Sequence, residues 1–347
     1  LGELVRAGLP VTPGFEVTAD LYNEILVKNG MDNEIKDILE KVNVDDSKAL
    51  KNSSKKIRKL LKNMEVPKEI QSEILKNYKK LCSSKSSNCL VAVRSSATAE
   101  DLPGASFAGQ QETFLNVNEG GITNSIKECW SSLYTSRAIF YREKKGFKHE
   151  DVSIAVVIQR MINADKSGVM FTVHPATGEK DKLILESNWG LGESVVSGVV
   201  TPDHYVIDKI AEKIITKEIM NKESMIVRSS ADGGTIRQKV PKNRINKQVL
   251  KEDEIKKLAE FGKLIENHYE FPQDIEWAIE GNETYILQSR PITVFYQDEK
   301  KEKKSNKDVL LKGLAVSPGI GSGKVQMIFS TDELEKVKAG DILVTTM

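Results

Sequence analysis

The chain has 347 residues, 39% hydrophobic and 29% charged, which is apolar enough for the packed cores of two or three domains and excludes global disorder. Its 51 basic and 50 acidic residues leave a formal charge of +1, which argues against binding nucleic acid or a membrane by bulk electrostatics. No apolar run approaches the roughly 18 residues of a membrane span, and the opening "LGELVRAGLPVTPGF" lacks the basic segment and apolar core of a signal peptide. Cys82, Cys89 and Cys129 form no CxxC and no even framework, so unpaired thiols in a reducing cytoplasm are expected. The chain opens without methionine and closes on the strand-like "GDILVTTM", so both ends read as cut from something longer.

Residues 19–82 read as lysine-rich helices, with Ile35, Ile38, Leu39 and Val42 at helical spacing. "SSKSSN" breaks that pattern at 83–88, and "LVAVR" then begins a buried strand that ends on Arg94. A helix is expected over 122–145, with Ile126, Trp130, Leu133 and Arg137 on one face, which would point Arg137 inward. "VSIAVVIQRM" (152–161), "GVMFTV" (168–173) and "DKLILES" (181–187) are expected as strands of one sheet, followed by a loop of small residues within 186–207. A helix over 251–268 precedes a hairpin at 273–290. The charged run 296–308, "YQDEKKEKKSNKD", is a linker candidate, and a new β-rich unit starts beyond it. Within that unit "GIGSGKV" (319–325) fails the P-loop spacing and reads as a glycine-rich turn. His149, His174, His204 and His268 have no metal-ligand spacing. No solenoid-period repeat is present.

Two stretches carry chemistry. In "QDIEWAIEGNETYILQSRP" the apolar Ile275, Trp277 and Ile279 alternate with Asp274, Glu276 and Glu280, giving one apolar and one acidic face. A three-residue Gly281-Asn282-Glu283 loop would oppose Glu276 to Gln288, Asp274 to Arg290 and Trp277 to Leu287, collecting the polar groups on one face. Two carboxylates, an amide oxygen and a guanidinium suit Mg²⁺ bound to a polyphosphate; an exposed face with a cross-strand ion pair is the plain alternative. In "VRSSATAEDLPGASFAGQQETF" a buried strand delivers Arg94 to a run of small residues, Gly104 to Gly109. Backbone N–H groups in such a run can approach phosphate oxygens closely.

These strings, with "SGVMFT", "WGLGESVVSGVVTPD" and "YILQSRPIT", closely resemble the nucleotide-binding domain of the phosphoenolpyruvate synthases (pyruvate, water dikinases), over residues 1 to about 295. Pyruvate phosphate dikinase and rifampicin phosphotransferase are similar. The resemblance implies an α+β ATP-grasp fold over 1–295, with ATP and Mg²⁺ held between two lobes. It also implies the incomplete start of a swivelling β/β/α phosphohistidine domain over 309–347. Carried over by position, Arg94, Arg137 and Arg290 contact phosphates, and Gly104, Ser106 and Gly109 belong to the loop that closes over them. Glu276, Gln288 and Asp274 lie on the metal side, and Gln159 and Met161 fall at the adenine hinge.

The implied activity is transfer of the β-phosphoryl group of ATP, through a phosphohistidine, to pyruvate, giving phosphoenolpyruvate, AMP and phosphate. The catalytic histidine would lie beyond Met347, and a phosphate-binding lysine that the family carries upstream of Leu1 is absent from these residues. The chain is therefore expected to bind nucleotide without completing the transfer, because such chemistry rests on positioning. Pyruvate would be reached only through further domains, and a cytoplasmic homodimer is implied for the full-length protein. The direct succession of the two units favours the synthase over the antibiotic-phosphorylating relative; a stand-alone ATP-binding module remains the reading from another class.

Overall fold

The computed structural model describes residues 1–82, 89–98, 101–102, 105–106, 112–229, 234–292, 320–329, 333 and 336–345, with backbone alone at 101–102 and 105–106. In the first part of the chain α1 (Gly2–Arg6) and β1 (Gly14–Val17) precede four helices, α2 (Ala19–Lys28), α3 (Met31–Glu40), α4 (Ser47–Asn63) and α5 (Lys68–Cys82). Strands β2 (Val91–Ala97), β3 (Asp101–Leu102), β4 (Ala105–Ser106) and β5 (Thr113–Val117) follow, then α6 (Ile122–Ser132), α7 (Ser136–Lys145) and β6 (Ile154–Arg160). The chain continues through β7 (Lys166–Phe171), β8 (Lys182–Trp189), α8 (Glu193–Val196), β9 (Asp203–Asp208), β10 (Lys213–Glu218), β11 (Ser224–Arg228) and β12 (Thr235–Lys239). Helix α9 (Glu252–Tyr269) leads into β13 (Gln273–Glu280) and β14 (Glu283–Pro291), and β15 (Val325–Ile328) and β16 (Ile342–Thr345) pair in parallel beyond them.

Two antiparallel sheets define two α+β lobes. The first has the order β1-β6-β2-β5 and the second β10-β9-β8-β7-β13-β14. The three strands expected in one sheet are therefore divided: β6 lies in the first, β7 and β8 in the second. Both edges of β6 are already hydrogen-bonded, to β1 and β2, so the chain leaves that sheet after Arg160 and crosses to the other lobe. The first core joins Val91, Val93, Val156 and Ile158 of the sheet to Trp130 and Ile57 of the helices. The second joins Trp277, Ile275, Met170 and Leu185 to Leu258 and Ile265 of α9. Leu4 of α1 is fully buried in the second core although β1, ten residues later, pairs in the first sheet. Ile286 N–H donates to the Pro10 carbonyl at 2.9 Å on the way, so the N-terminal segment stitches the lobes together.

The single helix expected over 122–145 is two. Helix α6 ends at Ser132, and Thr135, extended in backbone, caps α7 by accepting the Ala138 N–H at 3.2 Å. The break resets the helical phase. Arg137, expected to point inward, is exposed, and Arg142 is the arginine that turns inward, 1% exposed. Arg142 stacks 5.6 Å from the Tyr134 ring and donates to His149 Nδ1 at 2.9 Å, and burial with this neighbouring cation depresses the His149 pKa to about 4.

The expectation of unpaired cysteines is also corrected. Cys82 and Cys89 form a disulfide joining the end of α5 to the approach of β2, while Cys129 is free and buried. The two Cα atoms stand 5.5 Å apart, a convergence that spacing alone does not reveal. The proposed linker 296–308 lies outside the described residues. Lys324 of the "GIGSGKV" turn leads directly into a strand, as a glycine-rich turn requires and a P-loop does not.

Gly168 in β7 sits between Ser187 and Trp277 of its neighbouring strands. A Cβ there would stand 1.8 Å from the Glu186 carbonyl oxygen and 2.7 Å from the Trp277 ring. Gly168→Ala is expected to lose about 3 kcal/mol of stability or more, read from denaturant midpoints. An unchanged midpoint would contradict this packing.

Candidate functional site

The hairpin β13–β14 builds the polar face that the sequence pattern implies, by a different route. Asp274 pairs with Arg290 and Glu276 with Gln288, as expected. The turn, however, is the two-residue Gly281-Asn282, with Gly281 at φ +60°, and Trp277 opposes Ile286. A bulge at Leu287 supplies the extra residue that restores the outer register. Trp277, Ile275 and Ile279 point into the core, each at most 1% exposed. Leu287 is freed from the apolar face and lines the cleft between the lobes.

Arg94 reaches that polar face from the opposite lobe. Its Nη1 donates to Gln288 Oε1 at 2.8 Å and to Glu276 Oε2 at 3.2 Å, while its Nε is buried without a partner. The side chains of Arg94 and Glu276 are 16% and 26% exposed, so water screens the pair only in part. Beside them Arg290 donates to Asp274 Oδ2 through Nε at 2.8 Å and Nη2 at 2.7 Å. Burial raises the Asp274 carboxyl above the ordinary aspartate value; Arg290 opposes the rise, and Glu276 and Glu186 add to it. Glu186 on β8 lines the same small cavity of about 190 Å³ as Asp274, Glu276, Gln288 and Arg290.

That cavity adjoins a cleft of about 550 Å³, within the range of small-molecule sites. Arg94 and Glu276 line its polar end, and Phe114, Val117, Ile162, Leu191 and Ala278 give it apolar walls. Gln159 and Met161, the expected hinge residues, line it where β6 leads into the second lobe. The buried Gln159 amide donates to the Leu287 carbonyl at 3.4 Å, and Met161 N–H to the Leu90 carbonyl at 2.9 Å. Of the expected site residues the structure thus gathers Arg94, Arg290, Asp274, Glu276, Gln288, Gln159 and Met161. Arg137 lines neither cavity. Gly104, Gly109 and the Ser106 side chain lie outside the described residues; the Ser106 backbone pairs with Asp101 in the β3–β4 ribbon.

Glu186, Leu287 and Asn116 escaped the sequence reading. Glu186 was legible only with the register of β8 against β7 in hand, and Leu287 only with the bulge. Asn116 lies in "ETFLNV", where no strict alternation exists for it to break, so the sequence carries no mark of its irregular backbone. Among the described residues no group of three or more His, Cys, Asp or Glu forms an all-protein metal cage, and no helix is long and apolar enough to cross a membrane.

The model of one family, "Pyruvate phosphate dikinase, AMP/ATP-binding domain", matches residues 1–309. A probable phosphoenolpyruvate synthase of Archaeoglobus fulgidus is 51% identical, over 100% of this chain and 46% of its own length. One of Methanocaldococcus jannaschii is 48% identical over 100% of this chain and 30% of its own. The phosphoenolpyruvate synthase of Pyrococcus furiosus is 44% identical over 100% of this chain and 48% of its own. The chain therefore spans about half or less of these relatives. Among solved structures, a D-alanine-D-alanine ligase of Helicobacter pylori shares 10% identity over 64% of this chain and 52% of that chain, with a TM-score of 0.26, too low to bear on the fold.

Deleting Leu287 tests the role of the bulge. The register on the turn side already opposes Trp277 to Ile286, so the shortened strand is expected to keep Glu276 opposite Gln288 and lose only the apolar side chain in the cleft. Cross-strand Hα–Hα nuclear Overhauser effects would read this; a slip placing Glu276 opposite Ser289 would contradict it.

Proposed function

Because the chain belongs to the family of the pyruvate phosphate dikinase AMP/ATP-binding domain, we propose that the interlobe cleft binds ATP together with Mg²⁺, as the nucleotide-binding part of a phosphoenolpyruvate synthase. The observation that carries this reading is Arg94 Nη1 standing 2.8 Å and 3.2 Å from the oxygens of Gln288 and Glu276, across the cleft. It puts a phosphate-binding cation and hard oxygen ligands within one hydrogen bond of each other. The base lies in the apolar part of the cleft beside Gln159, Met161 and Leu287, with the phosphates directed to Arg94 and Arg290. The unpartnered Arg94 Nε is a further donor for a phosphate oxygen.

Asp274, Glu276 and the Gln288 oxygen fit Mg²⁺, which takes one or two protein carboxylates and completes its shell with phosphate oxygens and water. When bound, the ion would neutralise phosphate charge there. Gly104, Ser106 and Gly109 would close over the phosphates. In the whole protein the β-phosphoryl group of ATP would pass through a histidine of the following domain to pyruvate, leaving AMP and phosphate. The 309–347 segment begins that domain in this reading, and the charged run 296–308 is the linker before it. The names borne by the similar proteins support the synthase over an antibiotic-directed kinase. The reading places the chain in the cytoplasm, where ATP and pyruvate meet.

Calorimetric titration with Mg-ATP, repeated without metal, tests the reading. Metal-dependent binding is expected, weakened at least about tenfold by Glu276→Ala, equal to ~1.4 kcal/mol. Equal binding by both proteins, or no metal effect, would contradict it.

A proton accompanies the same event. The folded Asp274 carboxyl holds its proton more tightly than the unfolded one, so this group's contribution to stability declines as pH rises through the interval just above the ordinary aspartate value. A cation that keeps Asp274 charged reverses the shift. In that interval binding should release protons, seen as a binding enthalpy that changes with buffer ionisation enthalpy, and Asp274→Asn should abolish the effect. A buffer-independent enthalpy would exclude Asp274 from the ion site.

A further inference from the structure

Asn116 is the odd residue of β5. It is 1% exposed yet takes φ +57°, the left-handed region that costs an L residue free energy and that asparagine tolerates better than most. The β2–β5 register explains why: between the pairs Val91–Val117 and Val93–Phe114, the two residues Leu115 and Asn116 oppose the single Ala92. Asn116 therefore occupies a bulge in which glycine would be the least strained choice.

The amide makes use of that conformation. Asn116 Nδ2 donates to the Gly234 carbonyl at 2.6 Å, and its Oδ1 accepts from Arg228 Nε at 3.3 Å. Both partners belong to the β11–β12 hairpin, at the end of one strand and just before the other. The root of that hairpin is fixed to the second lobe. Leu191 N–H donates to the Ile226 carbonyl at 2.8 Å. Lys222 and Asp203, both fully buried, are bonded to each other, and Asp203 also accepts the N–H groups of Met220 and Val249 at 2.9 Å each. Four of the five residues of β12, those from 236 to 239, are exposed, and an isolated two-stranded ribbon is marginal in water, so the placing of its far end rests on the bonds that end makes. That end nevertheless forms part of the cleft wall, since Gly234 and Thr235 line it and Thr235 Oγ1 donates to Glu193 Oε2 at 2.9 Å.

We infer that Asn116 is a positioning residue: from the first lobe it latches the β11–β12 hairpin of the second lobe in place as a wall of the cleft. Together with Arg94, which ties the lobes at the polar end, it sets how closely they approach, and so how tightly the cleft holds its occupant. The bond to the occupant rests on the nucleotide reading; the latch itself does not.

Asn116→Gly separates the latch from the fold, because glycine accepts the left-handed backbone without strain and removes only the amide. In the whole chain, amide hydrogen exchange over 224–228 and 235–239 is expected to quicken about tenfold or more, with β13–β14 unchanged and only a small fall in melting temperature, since relieved backbone strain offsets part of the lost bonding. Mg-ATP affinity should fall about tenfold, the worth of one or two lost hydrogen bonds. Asn116→Asp keeps the acceptor facing Arg228 and loses the donor to Gly234, so its exchange rates should fall between the two. Unchanged exchange in the hairpin of Asn116→Gly, or quickening spread equally over β13–β14, would overturn the inference. If the unaltered chain binds no Mg-ATP, the nucleotide reading fails, while the exchange comparison still decides the latch.

Discussion

The site depends on one contact made across a gap: the guanidinium of Arg94, carried by the sheet of one lobe, against Glu276 and Gln288 on the sheet of the other. A charge in a partly buried cleft is costly without a partner, and a hydrogen bond to a charged group is worth about 1.5–3 kcal/mol. The contact is therefore strong enough to align the lobes and weak enough to be exchanged for a ligand that satisfies both sides. In the proposed function a polyphosphate carrying a divalent cation would do so, its oxygens taking the arginine and its cation the carboxylate. Everything around the contact serves its alignment. The N-terminal segment crosses from the second core to the first sheet, and β6 hands the chain from one sheet to the other. The bulge at Leu287 brings Gln288 level with Glu276.

Much of this was legible in the sequence. Strict alternation around Trp277 gave the acidic face, and the requirement for one apolar face chose the pairs Glu276–Gln288 and Asp274–Arg290. The turn was misjudged for a physical reason: a three-residue loop and a two-residue turn followed by a bulge give the same outer register, and pattern alone cannot tell them apart. The difference flips every residue between turn and bulge: Ile286 and Thr284 are buried on the Trp277 face, and Leu287 belongs to the cleft rather than to the core. Other errors share a cause. The helix break at Thr135 put a capping side chain inside an apolar periodicity, so Arg142 rather than Arg137 turns inward. The division of β6 from β7 and β8 depends on which strand edges are already paired, a property of the assembled sheet. The Cys82–Cys89 bond likewise follows from where α5 ends in space.

The irregular positions carry the function-related geometry. Of the three register shifts among the described residues, those at Leu287 and at Leu115-Asn116 lie in strands that face the cleft, and each turns a residue out of the ladder into it; the third, at Ile215 in β10, does not line it. Regular strands bury or expose alternate residues; aiming a side chain sideways into an interlobe gap needs an extra residue, with the local twist it brings. The raised Asp274 carboxyl fits the same picture, because a group that binds its proton too tightly in the unliganded cleft is one that a cation can recharge.

A crystal structure of the chain with Mg²⁺ and a non-hydrolysable ATP analogue tests the central claim most directly. The account predicts that the Arg94 guanidinium leaves Glu276 and Gln288 for the phosphate oxygens, while those two residues turn to the metal and the adenine lies beside Gln159 and Leu287. An analogue bound elsewhere, with Arg94 still bonded to Glu276 and Gln288, would contradict it.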